Sequence, residues 1–208
     1  MQTYIKPQAK RKEACTPYLC RMEPLHSSAS LITVLQRYTT PFPEEASMIL
    51  RFLDLLRNPD CFDRRNLPGH ITASAWITDP HRRQVLLVRH RKLNRWLQPG
   101  GHADGDPDTR QVALREAFEE TGLRPELISA EPWDIDIHTI PARPDFPEHE
   151  HFDVRYLFHA DPSAELLISD ESTDLKWFAL GELPQIADSA SILRMAHKTD
   201  PRIPYCLG

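Results

Sequence analysis

The sequence predicts an α/β fold that carries a helical N-terminal extension. A chain of 208 residues with 40% hydrophobic residues can bury one sizeable core. Segments rich in β-branched and apolar residues begin near residue 70 and continue towards the C-terminus, and a helical segment interrupts them around residues 107–122. Two further helical patterns precede residue 68. We therefore expect an extension over residues 1–67 and a main domain over residues 68–208.

The extension divides into a lead-in and two predicted helices. Residues 1–25 mix prolines and basic residues with little periodicity, which is typical of a loosely ordered segment. From Ser27 to Tyr38, and again after Pro43, apolar residues recur at steps of three and four. Pro43 and the two glutamates that follow it suit the start of a helix. The two apolar helix faces predict either a lid over a pocket or a homodimer interface.

The main domain is predicted to begin with a β-hairpin. Its strands are His70 to Thr78 and Gln84 to His90, joined by a turn that contains Asp79-Pro80. Alternating or apolar patterns predict later strands, and an apolar run predicts a last helix. These later elements are the strands Trp133 to Ile140, Phe152 to His159 and Leu175 to Leu180, and the helix Ile186 to Ala196.

Composition excludes several function classes. A net charge of −5 and a pI of about 6.0 argue against a protein that coats nucleic acid. The sequence has neither the apolar h-region of a secretory signal nor an apolar run of membrane-spanning length, so we expect no membrane partner. The cysteines lack the spacing of a zinc site or a C-x-x-C pair, which favours reduced thiols in a cytoplasmic protein. They are Cys15, Cys20, Cys61 and Cys206.

The segment from Gly100 to Leu123 carries the predicted chemistry. A Gly-rich, acidic loop leads into a helix, and Gly122 is placed to cap the end of that helix. A helical wheel predicts an apolar stripe on one side and a carboxylate cluster on the other. The stripe is Ala113, Leu114, Ala117 and Phe118, and the cluster is Glu116, Glu119 and Glu120. Since these carboxylates repel one another, a bound Mg²⁺ or Mn²⁺ would relieve the conflict and would favour phosphate chemistry.

This segment has two other interpretations. On charge spacing alone, a solvated acidic helix face is the commoner case. An EF-hand calcium loop is suggested by the spacing of Asp104, Asp106 and Asp108. That loop requires Gly at its sixth position and Glu at its twelfth, where this chain has Thr109 and Arg115.

The segment resembles the Nudix box, whose pattern is G-x5-E-x7-R-E-U-x-E-E-x-G-U with U a bulky apolar residue. Gly101 and the run from Arg115 to Leu123 match at the required spacing, and Trp96 to Gly101 looks like the usual approach to the box. The resemblance covers about residues 70 to 200 and implies an α/β/α sandwich with a mixed sheet.

The chain departs from the box pattern at two positions. Pro107 stands in place of the first box Glu, and the small Ala117 stands at a U position. Pro107 would suit helix initiation behind Asp106 as N-cap, with Asp106 or Asp108 in the role of the lost acid.

Resemblance to this family implies a Mg²⁺-dependent hydrolase that cleaves the diphosphate linkage of a nucleoside diphosphate linked to another moiety. The implied metal ligands are the Gly100 carbonyl and the carboxylates of Glu116, Glu119 and Glu120, and Arg115 would hold a carboxylate in place. The alternative is a Nudix-like nucleotide-binding or regulatory module without turnover, suggested by Pro107 and by the lack of a recognisable substrate signature.

Several residues outside the box are candidates for substrate or metal binding. Arg89 and Lys92 precede the box and could contact substrate phosphates, or could be plain surface charge. His70, on the first strand, is a further candidate for substrate binding. His149, His151 and Asp153 alternate along a predicted strand, so they form either a metal or phosphate site or an exposed polar face. Glu171 and Asp174 are candidates for an additional metal ligand.

Overall fold

A computed structural model describes residues 25–187 and 189–205 of the chain. Its main feature is a mixed eight-stranded sheet with helices on both faces, which confirms the expected α/β/α sandwich. The helices are α1 (Ser28–Arg37), α2 (Pro43–Leu55), α3 (Thr109–Thr121), α4 (Leu183–Ile186) and α5 (Ala190–Thr199), with a short 3₁₀ helix at Leu180–Glu182. The strands are β1 (Gly69–Thr78), β2 (Gln84–His90), β3 (Arg95–Leu97), β4 (Gly100–His102), β5 (Glu126–Leu127), β6 (Asp134–Ile140), β7 (His149–His159) and β8 (Ser172–Ala179).

Strands β1 and β7 form the centre of the sheet and run parallel along their whole length. The other edge of β1 is shared by two antiparallel partners. Strand β2 pairs with the end of β1 at Ile77 and Thr78, whereas β4 pairs with its first half, Thr72 opposite His102 and Ser74 opposite Gly100. Strand β2 also pairs with β3 and β8, and β7 pairs with β5 and β6. The register thus places the Gly-Gly pair of the box beside the middle of the sheet.

One face of the sheet is apolar over its whole length. Alternate residues of β1 and β7, such as Ile71 and Phe152, point to this face. They pack against Val112 and Ala113 of α3 and against the two helices of the extension. The buried residues that the extension contributes are Leu31, Leu35, Phe52 and Leu56. Its apolar faces are therefore used within the chain, in the same core as the main domain.

The opposite face is divided into an apolar half and a polar half. Trp76 and Leu157 pack there against Ile192 and Met195 of α5. The remainder of this face carries polar and ionisable side chains of β1, β6 and β7, of which Asp153 is one of the most buried. Burying a polar group without a hydrogen-bond partner is costly, so these groups are expected either to be hydrogen-bonded or to have a function.

Helix α2 closes one edge of the sheet through the buried carboxylate of Glu45. This carboxylate accepts hydrogen bonds from the backbone N–H of Ile135 in β6 at 3.2 Å and from Lys198 of α5 at 2.6 Å. Asp134 of β6 in turn accepts from Arg194 of α5 at 2.9 Å. The extension, the edge strand β6 and the last helix are therefore joined by buried ion pairs.

Most elements lie where the sequence predicted them, with two differences. The predicted last helix is divided into α4 and α5. The short strands β3, β4 and β5 were not predicted, because two or three residues show no periodicity. The lead-in up to residue 24 and the cysteines Cys15, Cys20 and Cys206 lie outside the described residues, while Cys61 is a buried free thiol. Within the described ranges, no helix is long and apolar enough to cross a membrane.

Candidate active site

Helix α3 carries the predicted carboxylates and is capped at both ends. Its N-cap is Asp108, whose side chain accepts a hydrogen bond from the backbone N–H of Arg110 at 3.2 Å. The prediction of Asp106 as N-cap was therefore wrong, because the helix begins at Thr109, two residues after Pro107. At the other end, Gly122 adopts φ 75° and donates its N–H to the carbonyl of Phe118 at 2.9 Å, which confirms the predicted cap.

The orientation of α3 differs from the predicted two-sided wheel. Ala113 and Ala117 are buried as expected, but Phe118 is 41% exposed and Glu120 only 7%. The guanidinium of Arg124 lies 4.3 Å from the centre of the Phe118 ring, so the ring packs at the surface under a cation. The side of the helix that faces the sheet therefore contains a carboxylate.

Glu116 lies against the backbone of β4 and is held there by Arg115. A Cβ atom added to Gly101 would lie 2.6 Å from the Glu116 Oε2 atom, so only glycine leaves room for this carboxylate. Arg115 Nη2 donates to the Glu116 Oε1 atom at 3.0 Å and to the carbonyl of His102 at 2.8 Å. Arg115 thus links the Glu116 carboxylate to the backbone of β4.

Glu120 is buried, and its carboxylate is only partly satisfied by hydrogen bonds. Its Oε2 atom is inaccessible to solvent and has no hydrogen-bond partner in the described part of the chain. Burial, followed by the nearby charges of Glu116 and Glu171, raises the pKa of Glu120 to about 8, although the Gly100 backbone N–H opposes this shift. A buried carboxylate beside a second one is the donor set that a hard divalent cation requires, so the residues fit such an ion.

Two more carboxylates border this pair. Burial is the main cause that raises the pKa of both Glu116 and Glu120, and the charge of Glu119, which is exposed on the same helix, adds to it. Glu171, in the turn before β8, has the same effect. The structure therefore brings Glu171 to the cluster. Asp174, the other candidate, lies opposite Arg89 in the pairing of β2 with β8.

The basic residues predicted to bind substrate lie around the turn after β2. Arg89 donates to the side chain of Asn94 at 3.1 Å, and Lys92 is exposed. The adjacent Arg91 donates its backbone N–H to the carbonyl of Glu171 at 2.9 Å, so this turn borders the carboxylate cluster. His70 is placed differently. Its side chain is fully buried on the polar face of the sheet, among other histidines.

Sequence reasoning missed Arg64 and His102. Arg64, in the stretch between α2 and β1, pairs with Asp104, and its pKa is raised first by that hydrogen bond and further by Glu116 and Glu171. It therefore brings a cation to the carboxylate cluster from a segment that no motif marked. His102 directly follows Gly100 and Gly101, and this position next to the two glycines is the sequence feature that could have identified it.

Comparison with known proteins places this chain in a family. The family model for the NUDIX domain matches residues 68–197. The chain is 33% identical over 103 residues to a putative 8-oxo-dGTP diphosphatase of Bacillus subtilis. This alignment covers 49% of this chain and 61% of the Bacillus protein. It is 38% identical over 69 residues to mouse nucleoside diphosphate-linked moiety X motif 6, over 30% of this chain and 22% of the mouse protein. These alignments span less than two thirds of either relative.

Solved structures agree with this assignment. A NUDIX family hydrolase from Clostridium perfringens superposes with a TM-score of 0.51 at 25% identity, over 64% of this chain and 97% of that one. The MutT protein of Methanosarcina mazei superposes with a TM-score of 0.53 at 18% identity, over 64% and 94%, which shows a shared fold. With the family model matched over more than half of its length, the chain belongs to the Nudix superfamily.

Proposed function

We propose that this protein is a Mg²⁺- or Mn²⁺-dependent hydrolase of the cytoplasm that cleaves the diphosphate linkage of a nucleoside diphosphate linked to another moiety. The observation that carries the proposal is the buried carboxylate of Glu120, whose Oε2 atom lacks a hydrogen-bond partner among the described residues and which lies next to Glu116, the carboxylate held against Gly101 of β4. A protein keeps such a costly arrangement when a cation compensates it.

The ion would be held by the carboxylates of Glu116, Glu119 and Glu120 and by the Gly100 carbonyl. When bound, it supplies positive charge that neutralises the oxygens of the diphosphate. Arg115 keeps Glu116 against β4, so this ligand is already positioned before the ion and the substrate arrive. The absence of a side chain at Gly101 leaves the space in which Glu116 lies.

The reaction is attack of water on phosphorus. A new bond forms between the water oxygen and phosphorus, the bridging P–O bond breaks, and the bridging oxygen leaves with the other phosphate. Arg89 and Lys92 are the cations that we propose for the outer phosphate oxygens, because their turn borders Glu171. His70 is fully buried, so it would contribute to substrate binding indirectly, through its contacts with the surrounding histidines.

The substrate class is supported by the relatives. The Bacillus protein is named for a nucleoside triphosphate substrate, and the mouse protein for a nucleoside diphosphate linked to a further group. A small nucleotide derivative, rather than nucleic acid, is accordingly the partner that we propose. A homodimer remains a proposal that sedimentation velocity tests, and since the apolar faces of α1 and α2 are buried within the chain, it would use another surface.

The test is phosphate release from a panel of nucleoside triphosphates, nucleotide sugars, dinucleotides and ADP-ribose, with Mg²⁺, with Mn²⁺ and with a chelator. We expect metal-dependent turnover of one class, and incorporation of ¹⁸O from labelled water into one product. Turnover that persists in chelator would contradict the proposal. Thermal stabilisation by a nucleotide without product formation would instead identify the binding module.

A further inference from the structure

Five histidines gather on the polar face of the sheet, apart from the carboxylate cluster of α3. They come from four strands: His70 of β1, His102 of β4, His138 of β6, and His149 and His151 of β7. Ring centres lie 4.9 Å apart for His70 and His151 and 4.9 Å apart for His102 and His151. The pairing of β1 with β7, which sets His70 opposite His151, and of β1 with β4 produces this convergence.

Three of these histidines bring ring nitrogens close to one another. One ring nitrogen from each of His70, His102 and His151 lies within 4.8 Å of the other two. Three nitrogen ligands of a tetrahedral zinc ion, with bonds of about 2.0–2.1 Å, are about 3.4 Å apart. Closure around an ion therefore requires ring movements of about an ångström or less, which side-chain rotation can supply.

The free nitrogens are an independent sign of a ligand. The Nε2 atoms of His70 and His151 are both inaccessible to solvent and lack hydrogen-bond partners in the described part of the chain. The other nitrogen of His70, Nδ1, lies 3.3 Å from the carbonyl of Asn66. A donor hydrogen bond from Nδ1 to that carbonyl leaves the lone pair on Nε2, which is the tautomer and the outer contact usual for a metal-binding histidine.

The chemistry of the cluster excludes an anion as its natural ligand. Burial is the main cause that lowers the pKa of both His70 and His151, so these rings are neutral near neutral pH. Neutral imidazoles attract phosphate weakly but coordinate borderline divalent ions strongly. Mg²⁺ prefers oxygen ligands, so this cluster and the carboxylates of α3 select different ions.

We propose that His70, His102 and His151 form a binding site for a divalent transition metal of the zinc class, separate from the carboxylate site. The ion would connect β4 with β1 and β7 directly beside Gly100 and Gly101 of β4. Because Arg115 links the His102 carbonyl to Glu116, metal binding would also fix the backbone to which this carboxylate is held.

The experiment is zinc titration of the full chain after removal of metals, in excess Mg²⁺ so that oxygen ligands are occupied. Calorimetry gives the affinity, and metal analysis after gel filtration gives the stoichiometry. We expect about one tightly held zinc per chain, and a loss of zinc affinity of at least about 100-fold in the His102→Gln/His151→Gln double variant. His81→Gln, which changes an exposed histidine, is the matched control and should bind as the unmodified chain does.

Two further variants separate this site from other zinc ligands in the chain. Glu120→Gln should retain zinc while it affects only the carboxylate cluster. A Cys15→Ser/Cys20→Ser/Cys206→Ser variant should also retain it, and Co²⁺ bound to either variant should give a spectrum without thiolate charge-transfer bands. Loss of the zinc in one of these two variants, with its retention in the histidine double variant, would overturn the proposal.

Imidazole ¹⁵N spectra of the unsubstituted chain test the same site without any risk to folding. Zinc should shift the ring nitrogens of His70, His102 and His151, and leave His81 unchanged. Zinc binding that leaves those three rings unshifted, or no stoichiometric binding at all, would contradict the assignment. Hydrolysis of nucleotides with Mg²⁺ is measured separately, so failure here would leave the proposed reaction untouched.

Discussion

Glu120 combines two properties that rarely occur together in one side chain, near-complete burial and a carboxylate oxygen without a hydrogen-bond partner among the described residues. Its charge is unfavourable in the metal-free protein because of burial and because of the neighbouring Glu116 and Glu171. A divalent cation bound at this site would offset both effects, because its positive charge balances the negative charges of the carboxylates. The residue is therefore expected to couple protonation, metal binding and stability.

The first prediction concerns the pH dependence of the metal-free protein. The folded-state pKa of Glu120 is raised from 4.5 to about 8, so the stability associated with its protonated form is fully present below the unfolded-state pKa. It is lost as the pH rises towards 8. Titration of Glu120 should therefore lower the free energy of unfolding, measured with urea in chelator, between about pH 5 and pH 8, against the opposite contribution of the buried histidines, whose pKa values are lowered by burial. In Glu120→Gln this decrease should be smaller. Mg²⁺ should oppose the decrease in the unmodified chain only. An identical pH profile for both proteins would refute the raised pKa of Glu120.

The second prediction concerns the space beside Gly101. A methyl group at this position would meet the Glu116 carboxylate at 2.6 Å, so Gly101→Ala should displace that ligand while the chain remains folded. We expect kcat to fall by about 10²-fold, as small misplacements of catalytic groups can cause. Gly181→Ala is the control, since a methyl group there meets no atom of the described residues within 4 Å. Full activity of Gly101→Ala, measured by phosphate release, would show that Glu116 does not need its observed position.

Among the elements, α2 has two structural roles. Its apolar side fills the core with Phe52 and Leu56, and its N-terminal turn presents Glu45 to the edge strand β6. An uncovered edge strand can pair with another chain, and a helix laid across it is one of the protections that proteins use. The extension is thus a structural part of the domain.

The third prediction tests this role of α2. The Phe52 side chain is fully buried and its ring centre lies 5.2 Å from that of Phe152 in β7. Phe52→Ala should lower the free energy of unfolding by about 3–5 kcal/mol, through lost burial and the cavity left behind. Leu50→Ala, at a position 74% exposed on the same helix, should change it by less than about 0.5 kcal/mol. Equal effects of the two substitutions in urea unfolding would show that α2 does not pack as described.

At the scale of the whole molecule, one core joins the extension to the Nudix domain. The fourth prediction follows from this continuity. A chain truncated to residues 68–208 would expose Ile71, Phe152 and their neighbours on the sheet face. We expect it to unfold at a lower urea concentration than the full chain and to bind a hydrophobic dye. A truncated chain that is as stable and as active as the full chain would show that the boundary at residue 67 separates two independent units.

The long periodic elements and the box could be predicted from sequence because their signals are local. The β-branched and apolar residues of β1 and the capping by Gly122 are each visible within a few residues. The burial of Glu120 could not be predicted, because a helical wheel does not show which side meets the sheet. The approach of Arg64 and the convergence of the histidines depend on contacts between distant segments, such as the pairing of β1 with β7. These contacts leave no local pattern.

The central claim is that the carboxylate cluster of α3 hydrolyses a diphosphate, and kcat of Glu120→Gln with Mg²⁺ tests it most directly. On the best substrate of the panel, we predict a loss of at least about 10²-fold with an unchanged circular dichroism spectrum, because the variant removes a metal-binding charge. Glu126→Gln, at an exposed position in β5, should retain the activity of the unmodified chain. Turnover by Glu120→Gln equal to that of Glu126→Gln would contradict the account and would place the active site elsewhere.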